Sequence, residues 1–316
     1  MIGYIAKRLL SLIPILLIVG TTVFFIIHLT PGDPASIMLG PEASQQQIDD
    51  LKAELGLDKP ILIRFVQWIG GVITGNLGES YFMKMSVATA ISEHFGPTLS
   101  LTICAQLIAL IVAIPLGIIA AKKKGSITDQ AVMGVSFLGI STPSFLIGLF
   151  LILLFAVELQ WLPASGYKTL ESGLFSHLQF MILPAISLGF MQAALIVRMT
   201  RATMLEVLNQ SYIEIARAKG VSEIIIVLKH GFRNAAIPIL TVVGQSFALL
   251  IGGATVTETV FNIPGIGQLI VNSVERRDYE VIQGVVLVIA ALYVAINLLI
   301  DLLYGLLDPR VRLNNR

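Results

Sequence analysis

The chain has 316 residues, of which 55% are apolar and 13% charged, and its mean hydropathy is +0.85. Soluble domains carry charge on roughly 25% of their residues, so this composition excludes a soluble globular protein and indicates an integral membrane protein. The net charge of +1 gives no basis for nucleic-acid binding, and a single cysteine, Cys104, excludes an intramolecular disulfide.

Six stretches reach or approach the about 20 apolar residues needed to cross a bilayer. They are residues 9–29, 98–121, 131–157, 180–197, 235–256 and 281–307. They are too long and uniform for barrel strands, which predicts an all-α protein of about six transmembrane helices in a single domain over residues 1–316. Lys7 and Arg8 before the first run resemble the start of a secretory signal. The run exceeds an h-region, however, and residues 29–35 lack a small-x-small cleavage site, so span one is expected to be retained.

Between spans one and two, residues 30–97 are too polar to cross and too long for a simple loop. Ser44 to Leu55 has helical spacing with Gly56 as a stop, and Ile61 to Ile73 is an amphipathic run suited to an interface. In span two Ala105, Ala109, Ala113, Gly117 and Ala121 recur every four residues, as do Gly244, Ala248 and Gly252 in span five. Both rows predict close helix packing. Pro115, Pro143, Pro184 and Pro238 are expected to interrupt four helices.

Basic residues set the orientation. Fourteen of the 21 Lys and Arg lie at the N-terminus, after spans two and four, and in the C-terminal tail. The positive-inside rule then places both termini in the cytoplasm and residues 30–97 outside. Asp301 is the sole acid within a span, and a charge there must pair or reach water. Arg198, at the cytoplasmic end of span four, is the expected partner; the alternative is that Asp301 reaches the interface and bonds to water or Asn297.

The polar stretch 198–234 between spans four and five carries the most information. Ser211 followed by Glu214 reads as a capping box that starts a new helix. Arg217 and Lys219 suit its last turn, and Gly220 can end it in the left-handed conformation. Ser222 and Glu223 then read as the cap and first turn of a second short helix. A helix, a glycine corner and a helix make a rigid knuckle for a cytoplasmic partner, with Tyr212 and Ile215 as anchors and Ala216 and Gly220 keeping the surface low. The bland alternative is an ordinary interfacial amphipathic helix.

No catalytic or metal site is legible. The sequence has no His-Glu-x-x-His, no Gly-x-Ser-x-Gly and no pair of intramembrane carboxylates, and His28, His94, His177 and His230 are scattered. It has no Gly-x-x-x-x-Gly-Lys-Ser/Thr loop, so ATP, if used, is hydrolysed by another subunit.

The run from Arg198 to Arg201, Met204 to Glu206, Tyr212 to Gly220 and Arg233 to Ala235 resembles the permease subunits of binding-protein-dependent ABC importers, in the dipeptide, oligopeptide and nickel branch. The resemblance is close to full length. It includes Pro31 to Pro34, Leu55 to Asp58, Asn76 to Ser80, Gly252 to Ala254, Thr257 to Val260, Pro264 to Gly267, Asn297 with Asp301, and Asp308 to Arg310. The wider importer signature is Glu-Ala-Ala, three residues, Gly; Glu214, Ala216 and Gly220 match it, while Ile215 replaces the middle alanine. The signature's later Ile-x-Leu-Pro is absent at the expected spacing, and Pro238 comes further on.

The resemblance implies a type I importer fold in a bacterial or archaeal cytoplasmic membrane. It implies a second permease subunit forming a heterodimer with this one, two cytoplasmic ATPase subunits that bind ATP and Mg and grip the knuckle, and an extracytoplasmic solute-binding protein. Short peptides are the implied cargo, with metal chelates and glutathione-like compounds behind them. A secondary transporter or channel without ATP coupling is the alternative; it would be expected to show more polar groups at mid-membrane.

Overall fold

The computed structural model describes residues 2–29, 32 and 34–307. Pro31, Asp33 and Asp308 to Arg310 of the motifs above lie outside the described residues. The chain divides into two compact units, Met1–Thr98 with Pro264–Val294, and Leu99–Ile263 with Ala295–Arg316. Among the described residues five helices are long and apolar enough to cross a membrane, and a bent pair makes a sixth if it forms one span.

The first unit holds α1 (Ile2–Leu29), α2 (Pro34–Leu39), α3 (Gln45–Glu54), α4 (Ile61–Ile73) and the start of α5 (Val87–Lys122). Ser44 caps α3: its Oγ accepts from Gln47 N–H at 3.3 Å, and Gln47 Oε1 accepts from Ser44 N–H at 2.9 Å. Two donors that the helix leaves open are satisfied reciprocally. Gly56 closes the segment at φ +67°. α4 follows Pro60, and its Phe65 and Trp68 pack on Phe24 of α1 at ring-centroid distances of 5.1 and 5.5 Å. Gly20 makes room for this packing, since a Cβ there would meet Trp68 Cη2 at 3.0 Å.

Ser86 begins α5 by accepting from Thr89 N–H at 3.1 Å. The unit is completed by α13 (Ile266–Arg276) and most of α14 (Tyr279–Leu307). Val87, Ala90, Ile91, Ile266, Leu269, Val281 and Val285 form its apolar core.

The second unit holds most of α5, then α6 (Ile127–Ser141), α7 (Ser144–Leu151) with a π-helical extension through Glu158, and α8 (Leu174–Leu208). After them come α9 (Ser211–Ala218), α10 (Glu223–Ile225), a π-helical stretch Ile226–Phe232, α11 (Arg233–Gly253) and α12 (Thr255–Val260). Ala105, Ala109 and Ala113 of α5 are fully buried, and Gly117 and Ala121 continue the row. A Cβ on Gly117 would lie 2.6 Å from Thr200 Cβ, and one on Gly189 would lie 2.8 Å from the Ala105 carbonyl oxygen, so α5 and α8 touch backbone to backbone. In α11, Gly244 lies against Ile300 and Ala248 is buried, whereas Gly252 is exposed.

Four details correct the sequence reading. Of the four prolines expected to interrupt helices, Pro143 alone does so; α5, α8 and α11 run on through Pro115, Pro184 and Pro238. Span three is therefore two helices bent by 103°. Proline disfavours helical geometry in the residue before it, and Thr142 is extended at φ −97° and ψ 124°. Span four does not end at residue 197, because Arg198 to Leu208 contain only residues that sustain a helix and α8 continues to Leu208. The second short helix of the knuckle is not separate either: helix is unbroken from Glu223 to Gly253 through the π stretch.

Candidate functional site

The corner after α8 is built from one buried anchor and one turn. Ile213 is fully buried in a cluster with Met204, Leu208, Ile226, Val227, Ala235 and Ile239. α9 ends in a Schellman motif: Val221 N–H donates to Ala216 O at 3.2 Å, and Gly220 N–H donates to Arg217 O at 2.9 Å. Gly220 sits at φ +77°, a conformation that strains any residue with a Cβ. Arg217 Nε donates to Glu223 Oε1 at 2.7 Å across the corner. Asn234 Nδ2 donates both to Tyr212 Oη at 3.1 Å and to the His230 carbonyl at 2.7 Å, tying the first turn of α9 to the helix that follows.

The expected capping box is absent. Gln210, extended at φ −77° and ψ 146°, precedes the helix, and its carbonyl accepts from Ile213 and Glu214 N–H. Ser211 is thus the first helical residue rather than the cap. Glu214 lies one position too far along to reach back. Ser222 does stand at the cap position of α10, without a side-chain bond to it.

Outward from this frame lies an apolar surface. Tyr212 and Ile215 are exposed at 42% and 56%, and Ile224, Ile225 and Leu228 of the following helix are exposed as well. Glu214 is also exposed. Ala216 is half-buried and packs against the inner cluster, so it supports the corner from within rather than lowering its outer face.

Arg198 and Arg201 separate in role. Arg198 lies over the Phe137 ring, 5.1 Å from its centroid. Arg201 forms a bidentate pair with Asp129, Nε to Oδ1 at 2.5 Å and Nη2 to Oδ2 at 2.7 Å, and Asp129 also accepts from Gly125 N–H at 2.9 Å. This pair clamps the basic turn after α5 to α8. Sequence reasoning missed it because the partners are 72 positions apart.

A second polar cluster, in the first unit, was also missed. Ser80 and Asp278 are buried, with Ser80 Oγ donating to Asp278 Oδ2 at 2.5 Å and accepting from Met83 N–H at 2.9 Å. Burial pushes the Asp278 carboxyl above the usual carboxylate range, against the Ser80 hydroxyl and nearby backbone N–H groups that favour its charge. The Asn-Leu-Gly-Glu-Ser motif at residues 76–80 pointed to this turn but not to its partner.

Residues 113–313 match the family described as binding-protein-dependent transport system inner membrane component, and residues 1–102 match the N-terminal family of such membrane components. A probable peptide ABC transporter permease protein, y4tP, of Sinorhizobium fredii is 43% identical over 309 residues, 98% of this chain and 99% of that one. The glutathione transport system permease protein GsiC of Shigella flexneri is 45% identical over 312 residues, 99% of each chain. Among solved structures, an inward-facing MetNI methionine ABC transporter chain superposes with a TM-score of 0.58 at 18% identity, covering 70% of this chain and 97% of that one. That likeness is one of fold. With near full-length relatives and family matches over both parts of the sequence, the chain belongs to the binding-protein-dependent transport system inner membrane component family, as a multi-pass permease subunit of an ABC importer.

Proposed function

We propose that this permease carries short peptides, or peptide-like solutes such as glutathione, across a bacterial or archaeal cytoplasmic membrane. The observation that carries the reading is the near full-length identity to peptide and glutathione permeases. Their named cargoes share amide-linked residues with a free carboxylate and a free ammonium. The chain works beside a second, related permease, with an extracytoplasmic binding protein delivering cargo. Both of its termini are cytoplasmic. Two cytoplasmic ATPase subunits bind ATP and Mg, and this chain holds no nucleotide.

The corner at 211–223 is the grip for one ATPase. Its exposed Tyr212, Ile215 and Ile224 offer the apolar contact, and the Schellman turn fixes their shape. Gly220→Val tests this. Nothing lies within 4 Å of a Cβ at Gly220, so the variant strains the turn without a clash inside the chain. We expect normal insertion, at least a tenfold loss of peptide uptake, and loss of ATPase subunits or of coupling in the reconstituted complex. Wild-type uptake and association in Gly220→Val would remove this corner as the coupling element. Uptake indifferent to inactivated ATPases would instead favour a secondary transporter or channel.

We also propose that Arg198 and Asp301 act as a pair at the cytoplasmic side. Asp301→Ala and Arg198→Ala should each impair transport, and the double variant should be no worse than either. Strict additivity would dismiss the pair.

A further inference from the structure

A cavity of about 760 Å³ opens within the first unit, bounded by α1, α3, α4, residues 76–84 and the start of α14. Small-molecule sites run to roughly 300–1,000 Å³. Its wall is mixed in charge, with Lys59, Arg64 and Lys84 against Glu54, Glu79 and Glu280.

Two of these groups are half-buried and held in place. Arg64 Nη2 lies 2.5 Å from His28 Nε2, and His28 Nδ1 lies 2.7 Å from the Phe24 carbonyl oxygen. Arginine only donates, so Nε2 accepts and the ring proton sits on Nδ1, facing Phe24. The bond orients a guanidinium whose planar fork matches a carboxylate. Glu280, in the first turn of α14, accepts from Tyr81 Oη at 3.4 Å. Gly78, at φ +88°, lies so close that a Cβ there would collide with the Glu280 carboxylate, so the 76–80 turn is shaped around this acid. The Tyr81 phenol is pushed up by burial and then by Glu280, while Arg64 acts on it in the opposite sense, so the three groups share one field.

We propose that this cavity binds a small zwitterionic solute, a short peptide with free termini, whose carboxylate pairs with Arg64 and whose ammonium pairs with Glu280. The inference rests on the peptide reading of the cargo and adds a place on the permease where that cargo is recognised by its charged ends.

The test is calorimetric titration of the reconstituted permease complex, without binding protein, using trialanine, N-acetyl-trialanine and trialanine amide. Saturable trialanine binding is expected, with each capped peptide at least tenfold weaker, about 1.4 kcal/mol, because it lacks one of the two charge-assisted pairs. Arg64→Gln should weaken trialanine and the N-acetyl peptide but spare the amide. Glu280→Gln should weaken trialanine and the amide but spare the N-acetyl peptide.

No binding to wild type, binding within twofold of wild type in both variants, or heat only when the binding protein is added would overturn the proposal. If a variant loses all three ligands alike, Arg64→Lys decides: recovered binding of the two acid peptides supports the site, and none overturns it. Trialanine uptake by the intact importer without this binding would dismiss the site alone. Coupled uptake of other solutes but never of peptides would dismiss the cargo reading instead.

Discussion

The corner at 211–223 and the polar turn at 76–86 handle their side chains in opposite ways. In the first, Ile213 alone of α9 is buried and the remaining positions are half-buried or exposed around a Schellman turn. In the second, Ser80 and Asp278 are buried and bonded to each other, and Arg64 and Glu280 line a cavity. A surface offered to another protein needs one anchor and a fixed backbone. An interior polar site instead requires partners for its buried groups, because an unmet one costs about 1–3 kcal/mol.

The largest effect is expected at Ile213. Ile213→Ala removes the anchor and should destabilise the corner by about 2–5 kcal/mol. Hydrogen exchange of residues 211–223 should accelerate, and ATPase subunits should no longer co-purify. Unchanged protection would mean that the corner is held by something other than its single buried side chain.

Asp278 gives a smaller effect with a defined pH signature. Its carboxyl is raised in the folded unit, so the proton binds more tightly there than in the unfolded chain. Stability from this group is full below the ordinary carboxylate range and is lost as pH rises through the raised value. Asp278→Asn should flatten that slope. Thermal unfolding of the full chain followed against pH would show it. An identical slope in the variant would mean that burial at Asp278 has no energetic consequence.

Arg217→Ala should do least. The Arg217 and Glu223 side chains are both nearly half exposed, and such pairs are screened by water and salt. No change in thermal stability is expected. A clear loss that also vanishes at high salt would show that the ion pair, rather than the backbone turn, sets the corner's shape.

Local features were the legible ones. The bounds of α4 and the glycine stops at Gly56 and Gly220 follow from apolar spacing and from the one residue type that accepts positive φ freely. The alanine row of span two was visible for the same reason, since a period of four needs only one helix to be read. What escaped reading depends on the fold. Whether a proline breaks a helix depends on whether neighbours re-satisfy the freed carbonyl, which a single sequence does not display. Ser-x-x-Glu at 211–214 fits the capping pattern, while Gln210 holds the cap position through backbone geometry alone. The Asp129–Arg201 pair and the Arg64 and Glu280 cavity join segments tens to hundreds of positions apart, and no local pattern announces them.

The unbroken helix from Glu223 to Gly253 and the 35-residue α8 are two long arms joined through the corner. On one side the chain leaves α8 through Asn209 and Gln210, two non-helical residues. On the other, Lys219 to Ser222 make the tight turn, and beyond it the helix runs unbroken for about 30 residues at about 1.5 Å each, about 45 Å in all. Its π stretch is wedged in place, since a Cβ on Gly231 would meet Met204 and Leu208 at 3.1 and 3.2 Å. Under the coupling role proposed above, a push at Ile224 enters the span-five helix directly, whereas one at Ile215 crosses the Schellman turn first, so α9 works as a short lever set between two long shafts.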